Sequence, residues 1–374
     1  MFFCKTCIMP RSRPRVVFNK DNICNACVNA ENKKLINWHD RKIEFEEIVR
    51  NIKNNKNSSD INKNYDCIVP WSGGKDSSYI AHRLKFEFKL NPLLVTFSPL
   101  IINEIGAHNR EQLILQGFDS FYLRPNQKIA RKLSTRFFLE RGNPKVAWDA
   151  GVTAAPVKIA LYLKIPYVFY AEHGESEYGG IVLNENSKKI RDENEVLENL
   201  VGDQPSNWAD QDISERELSF YTYPTKDDFK KFSVTSYYFS YFFKWSMLRN
   251  YEYMIKVLPK FQVAKNNRTE GTFTNFDSLD DKIDTLYYYM QYIKFGFGRA
   301  TRDSCRMIQN DQMTRDEAIE LSKLYDSEVP KENFDEVLEY LNITRLDFDE
   351  IVNKHRNQEI WKRRNNSWEL INKL

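Results

Sequence analysis

The fold is decided by residues 66 to 78, which read Asp66-Cys67-Ile68-Val69-Pro70-Trp71-Ser72-Gly73-Gly74-Lys75-Asp76-Ser77-Ser78. The apolar residues 67–69 predict a buried parallel strand, and residues 79–84 predict the first turns of a helix. Between them, Gly73 and Gly74 allow a tight turn and a close approach to a ligand. A strand, a small-residue turn and a helix N-terminus together predict an anion site, because free backbone N–H groups and the helix dipole favour phosphate.

The side chains of this turn extend the prediction. Ser72, Ser77 and Ser78 add hydroxyl donors, and Lys75 adds a positive charge. Asp76 would repel a bare phosphate, so it indicates a Mg²⁺ ion or a group that must be oriented. The alternative is a solvent-exposed Ser/Gly turn that happens to precede a helix. The turn is not a Walker A loop, because nothing matches G-x-x-x-x-G-K-[ST].

The composition bounds the class of protein. A chain of 374 residues suggests two or three structural units, and 41% hydrophobic and 14% aromatic residues indicate a globular protein. The net charge of +3 is too small to argue for nucleic acid, although residues 1–64 carry a local +6. Because no secretory signal and no run of 18 apolar residues is visible, we expect a soluble cytoplasmic protein without a membrane partner. The aromatic segment from Val234 to Trp245 predicts a buried helix or strand.

Two pairs of cysteines begin the chain, Cys4 with Cys7 and Cys24 with Cys27, and sixteen residues separate the pairs. Cys-x-x-Cys pairs at this spacing predict a zinc ribbon, in which four thiolates surround a structural Zn²⁺. Residues 16–22 predict a strand and a hairpin turn between the pairs. A module of about thirty residues could hardly fold without the metal. Two disulfides and an iron–sulfur cluster are the alternatives.

Four parts follow from the pattern along the chain. Residues 31–56 predict a helix, and the polar run from Asn54 to Asp60 predicts a linker. We therefore expect a zinc ribbon over residues 1–30 and a helix with a linker over residues 31–64. We further expect a nucleotide-binding domain over residues 65–200. A mainly helical region over residues 201–374 would complete the substrate site.

From residue 65 the pattern alternates between strand and helix. This alternation predicts an α/β fold with a doubly wound parallel sheet of Rossmann-like type. The predicted strands are Cys67–Pro70, Leu93–Phe97, Asp119–Leu123 and Tyr167–Tyr170. The predicted later helices are Ile105–Gly117, Ile129–Arg141 and Ala154–Leu163. In such a sheet, ligands bind beyond the carboxyl ends of the strands.

Three carboxylates follow the fourth predicted strand, Glu172, Glu175 and Glu177. Most charge runs are solvated loops. The position after a buried strand, opposite the phosphate turn, favours Mg²⁺ coordination or proton transfer from an incoming amine. His173 in the same segment is a further candidate.

Beyond residue 200 the pattern becomes mainly helical. Residues 278–281 predict a capping box that opens a helix over Leu279–Tyr292, and residues 314–317 predict another. Arg299 and Arg302 follow a break with two glycines. They could bind a carboxylate or a phosphate bidentately, or they could be ordinary surface arginines. The tail to residue 374 reads as helical and peripheral.

Residues 72–77, Ser-Gly-Gly-Lys-Asp-Ser, resemble the signature of the PP-loop ATP pyrophosphatase superfamily. Members of that superfamily cleave ATP between the α and β phosphates and transfer AMP to a substrate oxygen. Nearly the whole chain resembles the N-acetyl sugar amidotransferase family, a PP-loop branch that acts in bacterial surface-polysaccharide and nonulosonic-acid pathways. The matching stretches are the paired cysteines, residues 72–78, Ile105-Gly106, Asn109, Gly117–Asp119, Arg131–Leu133, Glu172, Gly174–Glu175, Glu177–Gly180, Glu270–Thr274, Ser278–Lys282 and Tyr292–Thr301. Ala171 and His173 depart from the family pattern, which has Gly and Asn there.

The resemblance implies the ATP-dependent conversion of a sugar acetamido group to an acetamidino group, with release of AMP and pyrophosphate. The expected ATP contacts are Ser72, Gly73, Gly74, Lys75, Asp76, Ser77, Ser78, Thr96 and Phe97. Lys75 and Mg²⁺ would neutralise the departing pyrophosphate, and Asp76 would hold the metal. Glu172, Glu175 and Glu177 would hold metal or accept an ammonium proton. The residues expected to contact the sugar are Asn109, His173, Arg299 and Arg302.

The nitrogen source and one competing function remain open from the sequence. No glutaminase signature is visible, so ammonia is expected from a separate glutaminase subunit or from solution. A tRNA-thiolating PP-loop enzyme is the main alternative, but it needs a reactive cysteine near the loop and a basic RNA-binding surface. Cys67 and Cys305 read instead as small core residues. A zinc-ribbon scaffold with a decayed loop is a third reading, which the intact loop disfavours.

Overall fold

A five-stranded parallel sheet forms the centre of the fold. The computed structural model describes residues 2–54, 61–191, 193–196, 203–365 and 367–374. The strands are β1 Cys67–Pro70, β2 Pro92–Phe97, β3 Asp119–Leu123, β4 Tyr167–Tyr170 and β5 Thr235–Tyr238, in the order β3-β2-β1-β4-β5. The predicted α/β class and parallel sheet are confirmed, and so are the first four strands, with β2 starting one residue early. The fifth strand comes from the aromatic segment, which was predicted as a buried helix or strand.

Helices surround the sheet and fill the C-terminal part of the chain. The α-helices of the described residues are α1 Asn25–Lys33, α2 Trp38–Asn54, α3 Lys75–His82, α4 Glu104–Ile114, α5 Gln127–Arg141, α6 Val146–Leu163, α7 Gly174–Tyr178, α8 Glu193–Val196, α9 Lys226–Lys231, α10 Phe239–Phe242, α11 Met247–Val257, α12 Asp284–Phe295, α13 Arg299–Gln309, α14 Arg315–Tyr325, α15 Phe334–Leu341 and α16 Arg345–His355. None of these helices is both long and apolar enough to cross a membrane.

Apolar side chains cover both faces of the sheet. On one face, Phe45 of α2 is fully buried, and its ring centre lies 5.6 Å from that of Phe169 in β4. On the other face, Ile159 of α6 packs against Val168 of β4. Parallel strands with both faces covered are typically apolar throughout, as residues 67–69 and 93–95 are.

The strand order places a crevice at the centre of the sheet. The chain runs from β1 outward through β2 to β3, and then continues on the other side of β1 with β4 and β5. The strand order therefore reverses between β1 and β4, which is where ligands bind in open α/β sheets. The turn after β1 and the acidic segment after β4 both begin at this point.

The helix predicted over residues 31–56 begins later and is preceded by a separate helix. α1 ends at Lys33 and α2 begins at Trp38. Asn37 starts α2, because its Oδ1 accepts a hydrogen bond from the backbone N–H of His39 at 3.1 Å. Residues 55–60 of the predicted linker and the predicted boundary at residue 200 lie outside the described residues. The four-part division of the chain stays a prediction.

The capping box predicted at residues 278–281 is wrong. Ser278 adopts a left-handed backbone with φ +56°, and α12 begins only at Asp284. The Asp281 carboxylate instead accepts hydrogen bonds from the backbone N–H groups of Leu100 and Ile101, at 2.8 and 3.0 Å. The same carboxylate accepts a longer hydrogen bond from the Ile283 N–H at the start of α12, at 3.3 Å, so Asp281 joins the loop after β2 to that helix. The second predicted box, at residues 314–317, is confirmed.

The C-terminal tail is only partly helical. After α16 the chain forms an antiparallel hairpin of β6 Trp361–Arg364 and β7 Ser367–Leu370. The indole Nε1 of Trp361 donates to the carbonyl oxygen of Ile293 at 2.8 Å, which fixes the hairpin against α12. The helical tail expected from the sequence is therefore corrected at its last residues.

Candidate active site

The turn after β1 is tight and requires glycine at Gly73. Gly73 has φ +93°, and a Cβ at this position would lie 2.5 Å from Cγ of Arg110 and 3.0 Å from the carbonyl oxygen of Gly106. Only glycine meets both conditions. The Arg110 guanidinium donates to the Ser72 carbonyl oxygen at 3.0 Å, and Ser72 Oγ accepts from the Gly74 N–H at 3.2 Å. α4 thus holds the turn from one side.

The loop leads directly into the N-terminus of α3. The first-turn N–H groups of a helix have no partner within the helix, so they are available to an anion. Ser78 is buried, and its Oγ accepts from the indole Nε1 of Trp71 at 2.9 Å. Ser72 and Ser77 are only half-buried. Their hydroxyls are therefore the ones that can reach a ligand.

Lys75 and Asp76 belong to a buried ionic network. The Lys75 ammonium is 2% exposed and contacts Asp76 Oδ2 at 2.9 Å and the Asp277 carboxylate. Burial alone would lower the pKa of Lys75, but Asp277 and Asp76 outweigh it and raise the pKa. The Asn250 amide donates to Asp76 Oδ1 at 2.7 Å. Lys75 is therefore charged, and Asp76 is oriented from both sides.

Asp277 links this network to Arg299. The Arg299 guanidinium lies 3.2 Å from Asp277 Oδ2 and 3.0 Å from Asp303 Oδ2. Burial would raise the pKa of Asp277, yet Lys75 and Arg299 hold that pKa below its usual value. Arg302, one turn along α13, shares the Tyr288 ring with Arg299, at 5.0 and 4.3 Å from the ring centre. The two arginines predicted to bind substrate therefore differ, since Arg299 is occupied by two carboxylates.

Glu172 is the acidic residue of the segment after β4 that faces the loop. Its carboxylate accepts a hydrogen bond from the Tyr178 hydroxyl. Burial, and next the charge of Asp76, raise the pKa of Glu172 to about 7. A carboxyl group with a pKa near neutrality suits proton transfer. A cavity of about 290 Å³ opens beside it, lined by residues that include Tyr170 and Tyr238.

Glu175 and Glu177 pair with residues of the cysteine-rich N-terminal part of the chain, although Glu175 lines the same cavity as Glu172 and the charge of Glu177 contributes to the raised pKa of Glu172. Glu175 Oε1 lies 2.5 Å from Arg15 Nη2, and Glu177 contacts the Lys33 ammonium. α1 adds two amide contacts to the same segment, from Asn25 to the Gly180 carbonyl oxygen and from Asn29 to the Ser176 carbonyl oxygen. The catalytic roles predicted for these two glutamates stay predictions, while their observed contacts hold two parts of the chain together.

Two of the residues predicted to contact the sugar have backbone partners. The Asn109 amide donates to the Gln262 carbonyl oxygen at 2.9 Å and accepts from the Gln262 N–H at 2.8 Å. The His173 ring caps α7 by accepting from the Ser176 N–H at 3.3 Å. Both side chains are buried and shape the loops around the site.

The predicted adenine contacts lie at the carboxyl end of β2. Thr96 Oγ1 donates to the Trp71 carbonyl oxygen at 2.6 Å, which joins the ends of β1 and β2. The Phe97 ring lies against α6, where a Cβ on Gly151 would come within 2.3 Å of it. Both side chains are therefore engaged within the protein, Thr96 in a hydrogen bond and Phe97 in packing.

Four sulfur atoms converge near the N-terminus. Sγ of Cys4 lies 4.0 Å from that of Cys27, and Sγ of Cys7 lies 3.7 Å from that of Cys24. Four ligands at about 2.3 Å around a tetrahedral Zn²⁺ are separated by about 3.8 Å, whereas a disulfide needs about 2.05 Å. The Cys24 N–H donates to Cys4 Sγ at 3.2 Å, as is common around metal-bound thiolates. The cluster is therefore compatible with a zinc ribbon.

The module around the cysteines packs on the C-terminal helices. Phe18 forms an antiparallel bridge with Cys24, where a strand and hairpin turn were predicted. Cys305 of α13 is buried against the four cysteines, and Cys67 faces the core in β1. Ser12 Oγ donates to the carbonyl oxygen of Phe295 at 2.5 Å. The two cysteines outside the cluster are thus both core residues.

A second buried ionic cluster lies where the start of α6 meets the start of α12. The Lys145 ammonium contacts Asp284, and the Trp148 ring lies 4.0 Å from it. Burial, partly offset by Lys145, raises the pKa of Asp149 to about 6 and that of Asp281 to about 7. Sequence reasoning did not single out Lys145 or Asp149.

Comparisons with known proteins concern parts of the chain. Residues 270–374 match the family described as LPS biosynthesis protein WbpG-like, C-terminal domain. An uncharacterized protein of Methanocaldococcus jannaschii, MJ1599, is 34% identical over 93 residues. That match covers 25% of this chain and 31% of the relative's length. The family match links the C-terminal part, which carries Asp277, Arg299 and Arg302, to lipopolysaccharide biosynthesis.

Proposed function

We propose that the protein is an ATP-dependent, AMP-forming amidotransferase that converts the acetamido group of an N-acetylated sugar to an acetamidino group in surface-glycan biosynthesis. The observation that carries the proposal is the arrangement at the crevice between β1 and β4. A phosphate-type loop with Lys75 and Asp76 stands opposite Glu172, whose pKa is raised to about 7. The match of residues 270–374 supports a sugar-containing substrate.

The chemistry requires activation of a poor electrophile. An amide carbon resists attack, and its oxygen is a poor leaving group. In the proposed first step the acetamido oxygen attacks the α-phosphorus of ATP, the bond from the α-phosphorus to the bridging oxygen breaks, and pyrophosphate leaves. In the second step ammonia adds to the activated carbon, and AMP leaves with the former acetamido oxygen.

The loop would bind the leaving pyrophosphate. The N–H groups at the start of α3, the hydroxyls of Ser72 and Ser77 and the Lys75 ammonium offer donors where negative charge develops. Asp76, oriented by Asn250, is suited to hold Mg²⁺, which would supply further charge neutralisation. Two carboxylates keep Lys75 charged, so it can act as a cation at any pH near neutral.

Glu172 would move the protons. Ammonia loses protons as it becomes the amidine nitrogen, and the amide nitrogen loses one when its oxygen is activated. A carboxyl group with a pKa near 7 can accept such a proton and release it again. The burial that raises the pKa also keeps water from the activated carbon.

The nitrogen and the structural metal complete the proposal. We propose that ammonia comes from a separate glutaminase subunit or from solution, and that Zn²⁺ occupies the four-cysteine cluster. tRNA thiolation gains no support from the two remaining cysteines, since Cys67 and Cys305 are buried in the core.

The test is AMP and pyrophosphate formation with an N-acetylated sugar and ammonium. Asp76→Asn should lower the rate by about 10²-fold or more, because an amide cannot hold Mg²⁺ as a carboxylate does. The exposed Asp335→Asn removes the same charge far from the loop and should leave the rate unchanged. Unchanged AMP formation in Asp76→Asn, with the folded state intact, would refute the assignment of the loop.

A further inference from the structure

A cavity of about 290 Å³ opens where three strands of the sheet end. Its lining includes Pro70, Tyr170 and Tyr238, which are the last residues of β1, β4 and β5. Open α/β sheets bind their ligands at this edge. The volume lies at the small end of the range for ligand pockets, about 300–1,000 Å³. The cavity therefore suits one sugar ring rather than a whole nucleotide sugar.

Two neighbouring tyrosine rings line this cavity. The ring centres of Tyr170 and Tyr238 lie 6.1 Å apart. The Arg191 guanidinium lies 3.9 Å from the centre of the Tyr170 ring, and the His173 ring packs edge-on against Tyr238 at 4.9 Å. These contacts hold both rings in place. Aromatic rings combine a large apolar surface with a polar group, so they suit the C–H groups and hydroxyls of a sugar ring.

Two carboxylates line the same cavity, and they have different partners. Glu175 pairs with Arg15 and also accepts a hydrogen bond from the Ile181 N–H at 2.8 Å. Glu172 instead accepts from a neutral group, the Tyr178 hydroxyl. The proposed base therefore borders the space in which a ligand would lie, while Glu175 helps to fix the wall.

The Tyr170 hydroxyl lacks a hydrogen-bond partner. Its oxygen is buried, and no group of the residues that the structure describes forms a hydrogen bond with it. Buried polar groups in proteins are nearly always hydrogen-bonded, because an unpaired one has lost its bonds to water without replacement. A ligand in the cavity that binds this hydroxyl would remove that cost.

We propose that this cavity binds the N-acetylated ring of the acceptor, with the ring against Tyr170 and Tyr238 and the acetamido group beside Glu172. The Tyr170 hydroxyl would form a hydrogen bond with the sugar. The inference rests on the proposed function for the identity of the acceptor as an N-acetylated sugar. It assigns the sugar to residues other than Asn109 and Arg299, whose side chains have partners within the protein.

The first test is a ligand-observed NMR titration of the full chain. The probes are N-acetylglucosamine and glucose, which lacks the acetamido group. We expect N-acetylglucosamine to bind at least about tenfold more tightly, because it alone carries the group that lies beside Glu172. Absence of binding, or equal binding of the two sugars, would overturn the inference.

A filled cavity should lose the sugar. Gly174 lines the cavity and is exposed, and the nearest atom to a Cβ added there is Cδ2 of Tyr178 at 3.8 Å. Gly174→Trp should therefore fold and weaken N-acetylglucosamine binding at least about tenfold. Gly174→Ala fills less space and should have a smaller effect. Affinity for α,β-methylene-ATP is the folding control. Wild-type sugar affinity in folded Gly174→Trp would contradict the inference.

Tyr170→Phe separates binding from stability. The change removes the hydroxyl that lacks a partner, so the melting temperature should stay the same or rise. N-acetylglucosamine binding should nevertheless weaken about fivefold or more. Tyr162→Phe makes the same change in a side chain that is 81% exposed, and it should alter neither quantity. Unchanged sugar affinity in Tyr170→Phe would overturn the placement of the ring.

The binding tests and the reaction test fail separately. Binding of N-acetylglucosamine that Gly174→Trp abolishes, without AMP formation from any N-acetylated sugar, would refute the proposed reaction and keep the cavity assignment. AMP formation whose Michaelis constant for the sugar is insensitive to Gly174→Trp would keep the reaction and refute the cavity.

Discussion

Glu172 and Glu177 lie in the same short segment after β4, yet their carboxylates bind different partners, the Tyr178 hydroxyl and the Lys33 ammonium. Burial, and next the charge of Asp76 in the turn after β1, raise the pKa of Glu172 to about 7. Glu177 pairs with Lys33 of α1, and Glu175 pairs with Arg15. One end of the segment thus contributes to the candidate active site, and the other end holds the cysteine-rich module. The comparison teaches that residue type and sequence proximity do not assign a role, whereas the facing partner does.

The largest expected effect on the rate of AMP formation comes from replacing Glu172. Glu172→Gln keeps the size of the side chain and an acceptor for the Tyr178 hydroxyl, but it cannot accept a proton. We expect the rate of AMP formation to fall by about 10²–10⁴-fold, as for the loss of a general base. Rapid-quench assays with circular dichroism as a folding control measure this. An unchanged rate would remove Glu172 from the mechanism.

Breaking the proposed zinc site should affect the part of the segment after β4 that carries Glu175 and Glu177. Cys24→Ser leaves three thiolates, so we expect metal content to fall well below one zinc per chain and the melting temperature to drop. The rate should fall too, because the segment after β4 loses its support from α1. Cys305→Ser, next to the cluster but outside it, is the matched control and should keep its metal. A metal-free chain with wild-type stability would contradict the zinc ribbon.

The pH dependence of the rate tests whether Glu172 acts as the base. Since a base must be deprotonated, the logarithm of the rate should rise with pH and level off above about 7, the raised pKa of Glu172. The folded pKa exceeds that of an unfolded glutamate, about 4.3, so the folded state binds the proton more tightly. This group therefore favours folding below about pH 4.3, and its contribution is lost as the pH rises to about 7. In Glu172→Gln the rate step should disappear. A wild-type rate that is flat between these values would contradict the assignment.

The smallest effect is expected at Glu177. Glu177→Gln breaks the ion pair with Lys33, whose side chain is 19% exposed, and should lower the free energy of unfolding by about 0.5–1 kcal/mol. The rate of AMP formation should stay near that of the wild type. The same change in a Lys33→Gln background should cost nothing further, since the pair is already broken. A rate loss as large as that of Glu172→Gln would mean that Glu177 acts in catalysis.

The sequence predicted the elements whose signals are local. The strand Cys67–Pro70 and the loop after it carry their signal in consecutive residues, and so do the two cysteine pairs. Hydrophobic runs bounded by polar turns predicted both ends of β3 and of β4 correctly. The structure of these elements depends on neighbouring residues, so the residue pattern was enough to predict them.

What the sequence did not predict depends on distant partners. Asp281 accepts from the Ile283 N–H beside α12 at 3.3 Å, but its shorter hydrogen bonds come from two N–H groups after β2 that are 180 and 181 positions away. Asp277 contacts Lys75, and Asn250 contacts Asp76, across long separations in the chain. No local pattern predicts either contact.

The most direct test of the central claim follows one oxygen atom. The protein is incubated with ATP, ammonium and an N-acetylated sugar whose acetamido oxygen is ¹⁸O. The AMP is then examined by mass spectrometry. The account predicts AMP that carries one ¹⁸O on its phosphate, together with unlabelled pyrophosphate and an acetamidino sugar. Unlabelled AMP, or formation of ADP and phosphate instead, would contradict it.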